Sequence, residues 1–178
     1  MRIGRSDRGF TLTELMVVVA IVSVLATLAV YGVRKYVFAS KAAEPIYMIG
    51  QIKTQQEAWR EEFHAYYDVS TTLTSWYPDL PNNAKRHWVN PAHADQQKWL
   101  FLGVSTPNPV QYGYITKSGG PANAPPGLGT NQVGWPPATN GEPWFLVVAA
   151  GDLNGDGNLS KFVGSSFTSE IYAENDSE

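Results

Sequence analysis

The sequence contains no cysteine and little excess charge of either sign. Without cysteine the chain has no disulfide framework, no thiolate nucleophile, no iron–sulfur cluster and no cysteine-ligated zinc. Its 13 basic and 16 acidic residues give a net charge of −3, whereas sequence-independent binding to nucleic acid requires a basic surface. These absences exclude thiol chemistry and argue against nucleic acid as a partner.

Sequence motifs of common enzyme classes are also missing. The chain has no nucleophile elbow, no phosphate-binding loop and no zincin helix. The spacing of its three histidines, His64, His87 and His93, fits no zinc pattern. We therefore expect a protein that is not an enzyme.

The most distinctive feature present is a long apolar run near the N-terminus. Three arginines lie within residues 1–9, residues 15–33 carry no charge, and Arg34 and Lys35 follow at once. As a helix, the uncharged run is roughly 28 Å long, close to the thickness of a bilayer core. It is too long for a signal peptide and lacks a small-residue cleavage site. The sequence predicts a single-pass inner-membrane protein with a cytoplasmic N-terminus and its body outside the membrane.

A carboxylate, Glu14, lies at the start of this apolar run, where an unpaired charge is costly. With the basic leader, Gly9 and Phe10, it forms a pattern that resembles the N-terminus of type IV prepilins and the related pseudopilins. The similarity covers about residues 1–35. It implies a leader of residues 1–9, followed by a transmembrane and filament-core helix over residues 10–35.

The resemblance implies a processing reaction and an assembly contact. A prepilin peptidase and methyltransferase would cut between Gly9 and Phe10 and then methylate the new amino group of Phe10. Glu14 would pair with that amino group on a neighbouring subunit, although an i,i+4 pair within one chain is also possible. The implied partners are other copies of the chain, other pilins and an inner-membrane assembly machinery, and the implied product is a periplasmic or cell-surface filament.

Residues 36–65 have the pattern of an amphipathic helix that continues the first one. Apolar residues recur at helical spacing, with a polar residue at position 56. Pro45 removes a hydrogen bond to the carbonyl of Lys41 and predicts a break near residues 41–45. The predicted buried stripe consists of Ile46, Ile49, Ile52, Trp59 and Phe63.

Residues 66–178 predict a globular, β-rich head. Eleven of the twelve prolines follow Tyr77, and residues 119–143 hold six glycines and six prolines, which is typical of a long loop. The predicted strands are residues 99–104, 110–116, 144–150, 161–164 and 168–174. Together with the helix they predict a pilin-like α+β fold with a small antiparallel sheet.

One loop in the head has the spacing of a calcium site. Its oxygen-bearing residues match the first nine positions of an EF-hand loop and are Asp152, Asn154, Asp156, the carbonyl of Asn158, and Ser160. Position 12 is Val163 instead of glutamate, so Glu142, Glu170, Glu174 or water would have to complete the shell. The alternative is a hairpin turn in which glycines supply positive φ angles.

Three functions are compatible with these patterns. The first is a structural subunit, a major or minor pilin, of a type IV pilus-like filament. The second is a pseudopilin of a type II secretion system. The third is a membrane-tethered binding module, which would have no use for a carboxylate in its apolar segment.

Overall fold

The computed structural model describes residues 9–128 and 141–175. Most of the leader, and the central part of the predicted 119–143 loop, lie outside these residues. The chain divides into two compact units, with the boundary between Val37 and Phe38.

Helix forms the first part of the described chain. α1 spans Leu12–Lys41 and α2 spans Ala43–Phe63. The two helices are separated by Ala42, which lies within the predicted break at residues 41–45. Pro45 favours a break there because proline has no N–H to donate to the carbonyl of Lys41. His64 follows the last residue of α2, and its left-handed conformation and N–H bond to the Arg60 carbonyl close the last turn.

The buried stripe of α2 differs from the predicted one. It contains Ile49 and Ile52 as expected, but Ile46 and Phe63 are 47% and 51% exposed. The stripe is therefore rotated by part of a turn, and polar Gln56 is fully buried within it. The full set of buried residues in the helix is Pro45, Met48, Ile49, Ile52 and Gln56.

A short helix replaces one predicted strand. Residues 99–104 were expected to be extended, but α3 covers Gln96–Leu102. Its apolar side chains Trp99 and Leu102 are buried at helical spacing, and Gly103 ends it with a φ of 79°. A short apolar run is consistent with either element, so the strand prediction was wrong.

Four antiparallel strands form a sheet in the order β1-β2-β3-β4. The remaining predicted strands are all present, with β1 shifted by three residues and β4 shorter than expected. Their bounds are Gly113–Gly119 for β1, Trp144–Gly151 for β2, Ser160–Ser165 for β3 and Tyr172–Glu174 for β4. The helices and this sheet confirm the predicted α+β fold.

α2 packs on β2 and β3 to make the core of the second unit. The helix approaches the sheet closely at Gly164, where an added Cβ would lie 2.5 Å from Cγ2 of Ile49. On the same side of the sheet, four aromatic side chains pack with ring centroids 4.9 to 5.7 Å apart. They are Tyr77, Trp88, Trp99 and Tyr114, so these aromatics serve the core.

Candidate functional site

The predicted processing junction lies just ahead of the first helix. Gly9 and Phe10 are exposed and outside regular secondary structure, and Phe10 is 85% exposed. A peptidase needs an accessible backbone at the bond it cuts, and α1 begins only at Leu12. The exposure of the junction is compatible with cleavage there, and the cleavage stays a prediction.

Glu14 is bonded to Thr11 within its own chain. Its Oε2 accepts the backbone N–H of Thr11 at 2.9 Å and the Thr11 hydroxyl at 2.7 Å. In return, the backbone N–H of Glu14 donates to the Thr11 hydroxyl oxygen at 3.2 Å. This reciprocal pair is a capping box, which satisfies N–H groups left open at the helix start.

The sequence contains a signal for this cap that is not among the predictions above. Residues 11–14 read Thr-Leu-Thr-Glu, the threonine-x-x-glutamate spacing of a capping box. Glu14 thus has an intrachain partner, Thr11, other than the Phe10 amino group considered above. The cap leaves Oε1 of the carboxylate available for a second bond, because both bonds from Thr11 go to Oε2.

The apolar part of α1 is uncovered within its own unit. Leucine, isoleucine and valine side chains between residues 15 and 33 are 54% to 66% exposed. The two hydroxyl residues in this stretch are satisfied by the helix itself, since Ser23 donates to the Val19 carbonyl and Thr27 to the Ser23 carbonyl, each at 2.7 Å. By length and composition, the helical region that begins at Leu12 is able to cross a membrane. A surface this apolar needs lipid or other protein to cover it.

The calcium-like loop connects β2 to β3 and is held by its own side chains. Asp152 accepts the N–H of Gly155 at 2.7 Å through Oδ1 and that of Gly157 at 3.1 Å through Oδ2. Both glycines have positive φ angles, 78° and 88°. The loop is thus a tight turn around the Asp152 carboxylate, as either a calcium site or a plain hairpin turn requires.

Two further oxygens of the loop act as acceptors for its backbone. Asn154 Oδ1 accepts the N–H of Asp156 at 2.9 Å, and Asp156 Oδ1 accepts the N–H of Asn158 at 2.8 Å. The bond from the Asn158 N–H lowers the pKa of Asp156 below its ordinary value, so this carboxylate stays charged. Each of these oxygens has a second lone pair that a cation can use.

Ser160 occupies the ninth loop position and is 1% exposed. Its Oγ has no hydrogen-bond partner among the residues that the structure describes. A buried hydroxyl without a partner is costly. Such an oxygen at this loop position is compatible with a metal ligand.

The residues suggested to complete the calcium shell are placed very differently. Glu142 precedes β2 whereas Asp152 follows it, and Glu142 pairs with Arg60 at 3.4 Å. Glu170 lies before β4, at the end of the sheet away from the loop. Of these three glutamates, only Glu174 lies near the loop, because it pairs in the sheet with Lys161, the residue after Ser160. Within the described ranges no group of three or more acidic, histidine or cysteine residues is placed to hold a metal.

Comparison with known families identifies the N-terminal segment. Residues 4–30 match the family model described as the prokaryotic N-terminal methylation motif. The resemblance to the prepilin-type family is thereby confirmed. The match contains Gly9 and Phe10 of the predicted processing junction and Thr11 and Glu14 of the cap.

A curated relative points in the same direction. The chain is 36% identical over 76 residues to the type IV major pilin protein PilA of Myxococcus xanthus (strain DK1622). The aligned part is 41% of this chain and 34% of that relative, so the chain spans about a third of the length of the relative it matches. No solved structure shows a significant match to the chain. The N-terminal part of the chain is therefore similar to that of a type IV pilin.

Proposed function

We propose that this chain is a structural subunit, a major or minor pilin, of a type IV pilus-like filament. The observation that carries the proposal is the combination of an accessible Gly9–Phe10 junction with a carboxylate at the start of an uncovered apolar helix. The precursor would cross the inner membrane once, with its N-terminus in the cytoplasm. After cleavage the exposed helix would pass from lipid into the core of a filament, where other subunits cover it.

Glu14 guides assembly in this proposal. Cleavage creates an amino group on Phe10 that is largely cationic at neutral pH. That amino group on a neighbouring subunit pairs with the Glu14 carboxylate and offsets the cost of a charge in an apolar environment. The capping bonds from Thr11 hold the carboxylate in a defined orientation for this contact.

Mass spectrometry of the chain produced together with a prepilin peptidase tests the processing step. The expected product starts at Phe10 and carries one added methyl group. A Gly9→Leu variant should remain uncleaved, whereas Gly9→Ala should be cleaved slowly or normally. A wild-type product that starts at Met1, or beyond Val33, would contradict the proposal.

Electron microscopy of sheared cell-surface filaments tests the structural role. A strain that lacks this gene should lose the filaments, or lose this subunit from them, and the gene should restore them. A pseudopilin of a type II secretion system is the second candidate, and loss of secretion without loss of surface filaments would favour it. The glycine- and proline-rich residues 119–143 favour the pilin, because pseudopilins are expected to be more compact.

We also propose that the loop from Asp152 to Ser160 binds calcium. The support is the charged Asp156 carboxylate, the oxygens of Asp152 and Asn154, the Asn158 carbonyl and the Ser160 hydroxyl, which has no partner within residues 9–128 and 141–175. Calcium prefers six to eight oxygen ligands, so water and Glu174 would have to complete the shell. A bound ion would fix the connection between β2 and β3 in a chain that has no disulfide.

A further inference from the structure

The end of the uncharged run carries a group of exposed cationic and aromatic side chains. Arg34 and Lys35 are exposed, and Tyr31 and Tyr36 beside them are 73% and 78% exposed. Neither cation forms an ion pair with any residue that the structure describes. All four residues lie within the first compact unit.

Helical spacing distributes these residues around α1. Tyr31, Arg34 and Lys35 are three and four positions apart and share one face, whereas Tyr36 lies on the opposite side. Tyrosine is enriched where a transmembrane helix meets the polar headgroups, because its ring is apolar and its hydroxyl is polar. We call these four residues the collar.

The collar is unusual in its charge. Transmembrane proteins place their excess of lysine and arginine on the cytoplasmic side. In the proposed orientation Arg34 and Lys35 lie on the other side, where they oppose that preference. Removal of residues 1–9 also takes away three arginines, so these two cations are the first basic residues of the processed chain. Because Arg34 and Lys35 weaken the signal that orients the helix, we expect another role for these two cations.

We propose that the collar binds the phosphate groups of anionic phospholipids in the outer leaflet of the inner membrane. The inference rests on the proposed membrane insertion. Val33 ends the uncharged run, so Arg34 and Lys35 would lie at the boundary of the hydrocarbon core. The anion available at that boundary is the phosphate of the lipid headgroups. The Arg34 guanidinium can bind phosphate oxygens in a bidentate manner, and Lys35 adds a second positive charge. This contact holds the subunit in the membrane at a fixed depth until it is drawn into a filament.

Purification of the full chain from mixed vesicles tests the proposal. The chain is reconstituted into vesicles of phosphatidylcholine and phosphatidylglycerol in a 7:3 ratio, and mass spectrometry measures the lipids that remain bound in mild detergent. Two cations near an anionic surface are expected to raise the ratio of bound phosphatidylglycerol to bound phosphatidylcholine about thirtyfold above the same ratio in the vesicle, and this factor is the enrichment. The enrichment should fall as the salt concentration rises, because the collar is exposed to solvent.

Variants distinguish lipid binding by the collar from attraction of the lipid to any positive charge on the chain. Lys35→Gln should lower the enrichment about fivefold, and Arg34→Gln with Lys35→Gln should remove it. Lys85→Gln is the matched control, since Lys85 is an exposed lysine of the head, and it should leave the enrichment unchanged. Equal binding by the double variant and the wild type would overturn the proposal.

An alkaline carbonate wash of the vesicles distinguishes this inference from the proposed function. If wild type and variants all stay in the vesicles but show no preference for phosphatidylglycerol, the collar proposal fails and membrane insertion stands. If the wild type is washed out of the vesicles, the collar proposal and the proposed membrane insertion are both wrong.

Discussion

The carboxylate of Glu44, in the first turn of α2, accepts the backbone N–H of Gln111 at 2.8 Å. It also accepts the N–H of Tyr112 at 3.2 Å and the hydroxyl of Tyr114 at 3.0 Å. Burial raises the pKa of Tyr114 well above its ordinary value, and the nearby Glu44 charge adds to this, so the hydroxyl stays protonated and can donate. One acidic side chain therefore fastens the start of α2 to the segment that leads into β1.

Replacement of Glu44 by glutamine should destabilise the head. Glutamine keeps one acceptor oxygen but loses the charge that strengthens all three bonds. Hydrogen bonds to a charged group contribute about 1.5 to 3 kcal/mol, and we expect a loss of this size in the free energy of unfolding. Urea unfolding of the full chain in detergent, followed by tryptophan fluorescence, measures it. Glu62→Gln, an exposed change on the same helix, should alter stability by less than about 0.5 kcal/mol.

Asp95 makes a second anchor, between α3 and the loop before it. Its fully buried carboxylate accepts the N–H of Thr71 at 3.2 Å and the Thr71 hydroxyl at 2.6 Å. The Ser75 hydroxyl donates to the same carboxylate, and Lys98 lies 3.6 Å away. Burial by itself raises the pKa of Asp95, but the hydrogen bonds from Ser75 and Thr71 and the Lys98 charge outweigh it, so the pKa is lowered overall.

The lowered pKa of Asp95 makes the stability of the head dependent on pH. Because the folded-state pKa lies below the unfolded value of about 3.9, the contribution is fully present above that value. It is lost as the pH falls through the folded-state pKa. Asp95→Asn should cost roughly 3 kcal/mol at pH 7. The difference in the free energy of unfolding between Asp95→Asn and wild type should become smaller below about pH 4. A difference that stays constant from pH 7 to pH 3 would contradict this role.

The hydrogen bonds of Glu44 and Asp95 could not be predicted from the sequence. Glu44 and Gln111 are 67 positions apart, and Asp95 and Thr71 are 24 apart. No periodicity or motif links such pairs, because the contact exists only once the chain has folded. The strands β1 to β4 were predictable because alternation, turns and β-branched residues are local properties.

The errors have a related cause. Residues 99–104 are nearly all apolar, so their pattern does not separate a buried strand from a buried helix. The folded chain favours helix there because Asp95 fixes the residue before the first turn and Gly103 supplies the left-handed end. In α2, Glu44 is bonded to Gln111, and the residues buried in the following turn are Pro45 and Met48. A helix in this rotation exposes Ile46.

At the N-terminus, the cap and the proposed assembly contact can be separated by mutation. Glu14→Val should insert into the membrane at least as well as wild type, because a costly charge is removed, yet enter filaments poorly. Thr11→Ala removes the hydroxyl of the cap and leaves the carboxylate in place. We expect this variant to assemble better than Glu14→Val.

Competition in one cell measures both variants. Each is expressed with a tag beside the untagged wild type, and the ratio of tagged to untagged chain is compared between membranes and sheared filaments. Ser23→Ala is the control, since it removes a hydroxyl of the same helix that donates to the Val19 carbonyl and takes no part in the cap. Equal assembly defects in Thr11→Ala and Glu14→Val would mean that Glu14 acts only through the cap.

The loop between β2 and β3 gives a prediction for metal binding. Because the twelfth loop position is Val163, we expect a weak calcium affinity, with a Kd of roughly 10⁻⁴ to 10⁻³ M. Ten millimolar calcium should then stabilise the full chain by about 1.4 to 2.7 kcal/mol, since calcium binds only the folded state. A rise in melting temperature relative to a chelator measures this, and magnesium should have a smaller effect, since it dehydrates less readily.

Variants of the loop should separate its metal ligands from its turn bonds. Asp152→Asn with Asp156→Asn removes both charges and keeps one acceptor oxygen at each position. It should abolish the calcium shift, and the metal-free turn should lose only the bonds from Gly157 to Asp152 and from the Asn154 amide to Asp156. Ser160→Ala removes a buried hydroxyl that has no partner within the described chain. It should therefore reduce the calcium shift while leaving the metal-free protein as stable as wild type, or more so. If the wild type melts at the same temperature in calcium and in chelator, the glycines and Asp152 form a hairpin turn only, and the Ser160 hydroxyl needs another explanation.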